Sequence, residues 1–68
     1  MEEFLKQLMG KKVDVSCGTG VAFRGDVVDV QNGILFLRDE EKVAYVVVDK
    51  IAMICEIKEH TSRPGFLG

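Results

Sequence analysis

Apolar and polar residues alternate from Lys12 to Cys17. Val13, Val15 and Cys17 fall on one side, and Lys12, Asp14 and Ser16 on the other. A period of two predicts a strand with one core face, spanning 11–17. Gly18-Thr19-Gly20 then marks a turn. A second apolar run extends from Val21 to Val30 in mixed phase. Val21, Phe23 and Val27 share one side, and Ala22, Val28 and Val30 the other. Gly25, inside that run, predicts a bend that lets one strand serve both sides of a small barrel. Simple alternation also sends Asp26 and Asp29 to opposite faces. Gln31-Asn32-Gly33 predicts a tight turn, because Asn-Gly readily takes positive φ.

Ile34 to Arg38 predicts a third strand, apolar on both faces, and Asp39 to Lys42 a solvated hairpin loop. Val43 to Val48 has no polar face, and Ile51 to Ile57 follows as a fifth apolar run. In so short a chain, a strand apolar on both sides is either central or at a subunit interface. Ahead of the strands, Glu2 to Met9 predicts a short amphipathic helix carrying Phe4, Leu5, Leu8 and Met9 on one side. Gly10 can end it in a left-handed conformation. Two turns are not stable alone, so this helix must pack on the sheet. The expected fold is mainly β: a short helix, then a five-stranded, strongly bent antiparallel barrel over 1–58. Residues 59–68 lose all periodicity and read as a mobile tail.

Composition sharpens this picture in three ways. The 68 residues make one domain, yet 47% are hydrophobic, which fits either apolar surface buried between subunits or simply a rich core. The formal charge of -2 removes the basic excess expected of a duplex-DNA binder. No apolar run approaches ~20 residues and no signal-peptide pattern leads the domain, so the expected setting is cytoplasmic, without membrane contact. Cys17 and Cys55, at apolar positions, read as small buried hydrophobes, with a Cys17–Cys55 bridge as the lesser alternative. With His60 they do not make a zinc site. Gly18-Thr19-Gly20 lacks the lysine and helix of a phosphate loop, and no Cys–His pairing is evident. Neither an enzyme nor a cofactor is expected.

The order of elements and the spacing of Val13, Val15, Cys17, Gly20, Gly25 and Val27 resemble the first motif of the Sm-like superfamily, which includes the Sm, LSm and Hfq RNA-binding proteins. The resemblance covers Glu2 to Ile57. It implies a homo-oligomeric ring of about six or seven subunits, in which the fourth strand of one copy pairs with the fifth of the next. On that pattern Val43, Tyr45, Val46, Val47, Val48, Ile51, Met53 and Cys55 line the subunit interface. Single-stranded RNA then binds near the pore, on the loops after the second and fourth strands. Those positions are held here by Gln31 and Asn32 and by Asp49 and Lys50. Asn32 is the nearest equivalent of the family's base-contacting asparagine. The second family motif, Ile-Arg-Gly or Tyr-Lys-His, is absent, and Asp49-Lys50 stands near its place.

Further groups suited to RNA are Lys11, Lys12 and Arg24, with Phe23, Phe36 or Tyr45 as stacking candidates. Ordinary roles compete for each: Lys11 and Lys12 as helix-end cations, Phe23 and Phe36 as core. A ring would concentrate weak contacts through repetition. A second resemblance, to PRC-barrel domains, rests on Gly10-Lys11-Lys12-Val13, on Gly25-Asp26-Val27-Val28-Asp29-Val30 and on Asp49-Lys50-Ile51 through Ile54. It implies a module that docks another protein.

Overall fold

The computed structural model describes residues 1–18 and 20–58. The chain forms α1 (Glu2–Lys6), β1 (Lys12–Ser16), β2 (Ala22–Gln31), β3 (Ile34–Arg38), β4 (Val43–Val47) and β5 (Met53–Glu56). A single 3-10 turn, Val48–Lys50, links β4 to β5. All neighbouring strands pair antiparallel in one sheet, ordered β4-β3-β2-β1-β5. The expectation of a mainly β chain behind a short helix holds. The sheet is open, with β4 and β5 at its two edges. The expected tail, 59–68, lies outside the described residues.

Alternation decides what is buried. Val13 and Val15 of β1, Val27 and Val30 of β2, and Leu35 and Leu37 of β3 face one side. Leu5, Leu8 and Val48 cover that side and complete the core. Glu2 and Glu3 occupy the first turn of α1, where the helix dipole favours negative charge. The helix is shorter than expected, and only Leu5 and Leu8 turn inward. Phe4, within the helix, is exposed, and so is Met9, because the regular helix stops at Lys6 and residues 7–10 form turns. Gly10, at φ +82°, makes the predicted left-handed turn. Its N–H then donates to the Val27 carbonyl at 2.8 Å, which launches β1 alongside β2.

The phase change within β2 does not occur at Gly25. Val27 pairs with Leu37, but the next partnered residue, Asp29, pairs with Phe36. Val28 is therefore the extra residue of a β-bulge. The bulge explains how Val27 and Val30 both reach the core although they differ in parity. It also corrects the expectation for the carboxylates. Asp26 pairs with Arg38 and Asp29 with Phe36, so both lie on the outer face. Gly25 has a different role. A Cβ there would stand 3.0 Å from the Arg38 carbonyl oxygen and 3.1 Å from the Phe23 ring.

The cysteines are corrected as well. Both are exposed free thiols rather than buried hydrophobes. β1 ends one residue short of Cys17, so the chain turns before that side chain can reach the core. Cys55 pairs with Asp14, on the outer phase of an edge strand. No helix among the described residues is long and apolar enough to cross a membrane.

Candidate functional site

Two features stand out: the loops at one end of β3, and the edges of the sheet. Asn32 and Gly33 both take positive φ, 54° and 77°, and join Gln31 to its partner Ile34. This is the two-residue Asn-Gly hairpin turn that the sequence predicts. The 3-10 turn comes to meet it. The Val48 N–H donates to the Gly33 carbonyl at 2.9 Å, and the side chain of Val48 is buried. The loop pair carrying Gln31, Asn32, Asp49 and Lys50 is thus joined by a backbone hydrogen bond. All four side chains are exposed. From the other side, a Glu2 carboxylate oxygen accepts from the Gly33 N–H. That contact spans 31 positions, and no local sequence pattern announces it.

The edges supply the second feature. Along β4, Ala44 and Val46 pack against the core, whereas Val43, Tyr45 and Val47 are exposed on the outer face. Tyr45 is 68% exposed, edge-on to Phe36 with ring centroids 5.2 Å apart. On β5, Ile54 packs inward and Met53 and Cys55 point outward. The interface candidates therefore divide. Val43, Tyr45, Val47, Met53 and Cys55 are displayed on the surface. Val46 and Ile51 pack against the chain's own core, and Val48 lies within it.

The other candidate contacts are spread out. The Arg24 guanidinium clasps Asp14 with two hydrogen bonds, at 3.0 and 3.1 Å. Those bonds hold the Asp14 carboxyl below its ordinary range. Lys12 stands 3.8 Å from Asp26, and Lys11 3.7 Å from Glu56. Phe23 is half-buried under the Lys42 ammonium, 5.5 Å from its ring centroid. Phe36 lies on the outer face beside Tyr45 rather than in the core. A shallow open cleft of about 510 Å³ lies at the other end of β3, between Lys12, Arg24, Arg38 and the 39–41 loop. Its cations share it with Asp26, Asp39, Glu40 and Glu41. No group of three or more His, Cys, Asp or Glu side chains that could hold a metal is found among the described residues.

A family model described as "Domain of unknown function (DUF6897)" matches residues 1–57. The chain belongs to this family. The match runs from the first residue through the end of β5, and so covers the helix, all five strands and both loops of the cluster. No curated protein and no solved structure matches the chain.

Proposed function

We propose that the protein is an Sm-like self-assembling subunit, in which β4 of one copy pairs with β5 of the next to close a ring around single-stranded RNA. The observation that carries the reading is the strand order. It leaves two edge strands, each with an apolar outer row: Val43, Tyr45 and Val47 on β4, and Met53 beside Cys55 on β5. Exposed apolar edges invite strand addition, and head-to-tail pairing of unlike edges closes when the rotation per joint divides a full turn. The same joint continues the sheet from copy to copy, with the curvature that the small-barrel resemblance implies. The cluster of Gln31, Asn32, Asp49 and Lys50 recurs once per copy. It offers amide groups for base edges and one ammonium for phosphate. Affinity comes from repetition rather than from any single pocket.

Native mass by light scattering at several concentrations, with fluorescence anisotropy of uridine- and adenine-rich oligonucleotides, tests both parts. A stable mass of about six or seven chains is expected. With it goes binding that weakens at least tenfold in Lys50→Glu and falls steeply with salt. A monomer at all concentrations refutes the ring and removes the multivalent basis for RNA. The exposed β4 edge and the charge of -2 then favour docking to another protein by strand addition.

A further inference from the structure

We infer that Glu2 is a positioning residue that sets the spacing of the two loops of the cluster. The inference rests on the strand-binding reading above for its functional consequence, but not for its geometry. Gly33 is a junction. Its N–H donates to the Glu2 carboxylate, and its carbonyl accepts from Val48 N–H at 2.9 Å. The two peptides that flank the Gly33 Cα thus receive α1 on one side and the 3-10 turn on the other. Asn32 directly precedes Gly33, and Lys50 follows Val48 by two residues.

The junction is built from rigid parts. Gly33 and Asn32 are held at positive φ, so the turn presents its N–H in a fixed direction. Glu2 is half-buried and sits one turn from Leu5, which is completely buried in the core. The carboxylate is therefore anchored from below. A hydrogen bond from a backbone N–H to a charged acceptor is among the stronger neutral–ionic contacts. Releasing it frees the Asn32–Gly33 peptide to rock, and that motion passes through the Gly33 Cα to the next peptide, whose carbonyl accepts from Val48. Loss of one carboxylate then loosens both loops, although Glu2 touches only one of them.

Amide hydrogen exchange on the full chain tests the coupling, comparing wild type with Glu2→Ala and Glu2→Gln. In Glu2→Ala the Gly33 and Val48 amides are expected to exchange roughly tenfold faster. The amides of β1, paired on both sides, stay within about twofold. Glu2→Gln keeps a carbonyl acceptor and restores both sites to within about threefold. Unchanged exchange at Val48 overturns the coupling. Equal acceleration across β1 also overturns it, because Glu2 would then serve global stability only. Oligonucleotide affinity is read in parallel, and a roughly fivefold loss in Glu2→Ala with rescue by Gln is expected. If wild type binds no oligonucleotide, the proposed function fails, and the exchange data still decide whether Glu2 ties the two loops together.

Discussion

Gly25→Ala probes the closest approach found at any described glycine. Two effects oppose each other. The φ of Gly25 lies outside the left-handed region, so alanine meets no backbone penalty there. Its reduced freedom in the unfolded chain contributes about 0.4–1 kcal/mol of stability. Against this, the new Cβ would stand 3.0 Å from the Arg38 carbonyl oxygen, 3.2 Å from its carbon and 3.1 Å from the Phe23 ring. Overpacking of this kind costs roughly 1–3 kcal/mol. The steric effect wins, leaving a net loss of about 1–2 kcal/mol and, at about 4–8 °C per kcal/mol, a melting point lower by on the order of 5–15 °C. Thermal unfolding followed by circular dichroism measures it, at fixed protomer concentration because assembly shifts apparent stability. A double-mutant cycle with Phe23→Ala separates the two obstacles. The Phe23 ring can move and the backbone carbonyl of a paired strand cannot. The Gly25→Ala cost should therefore persist in the Phe23→Ala background to within about 0.5 kcal/mol. A Gly25→Ala chain that melts at or above wild type would refute the close-packing argument.

Two further outcomes follow from the surface. Asp14 is held below its ordinary pKa by its hydrogen bonds from Arg24, and Asp39 by the backbone N–H groups of Glu41 and Lys42. A depressed carboxylate pKa contributes stability that is complete above the unfolded value, near 3.8, and is lost as pH falls through the lower folded value. Asp14→Asn should therefore reduce stability at neutral pH and narrow its gap to wild type below about pH 4, as read by urea unfolding at a series of pH values. An unchanging gap across that window would contradict the assigned cause. Cys17 and Cys55 should both react with a small thiol reagent in the isolated folded chain, since both are exposed. Cys55, on the β5 edge, should become at least about tenfold slower than Cys17 in the assembled form. Equal rates in an assembled sample would place the joint elsewhere.

Much of the fold was legible because a period of two survives in the sequence wherever one face is buried. Val13 and Val15 are such places, and the Asn32-Gly33 turn is legible through the positive φ that this pair readily takes. Legibility failed where local pattern and three-dimensional partner diverge. Val27-Val28 reads equally in either phase, and only the register against Leu37 and Phe36 reveals that Val28 is the bulged residue. Cys17 continues the apolar alternation, yet β1 has already ended at Ser16. Val43 to Val48 reads as one uniformly apolar strand, but its last residue leaves the sheet for the core and its odd-numbered members face outward. In the candidate site, both loops were visible as interruptions of apolar runs. Their hydrogen-bonded contact, and the reach of Glu2 to Gly33, are long-range consequences of the chain folding back on itself.

The charge arrangement makes assembly the step on which any nucleic-acid role depends. On the outer face the central cations sit beside carboxylates: Arg24 with Asp14, and Lys12 with Asp26. They add little net attraction for phosphate, because an anion must compete with a carboxylate already in place. At the loop cluster Lys50 follows Asp49 directly, so one copy presents almost no net positive field. A single subunit would therefore hold a phosphate backbone weakly at physiological salt. Repetition changes this, because successive contacts along one strand become intramolecular once the first is made. Under the proposed assembly the edges β4 and β5 would provide the means of repetition, and the Gly33 junction would keep each repeated contact at one spacing. A mutation that blocks the β4 edge without touching Gln31, Asn32, Asp49 or Lys50 should then weaken oligonucleotide binding, read by anisotropy, at least as much as Lys50→Glu does.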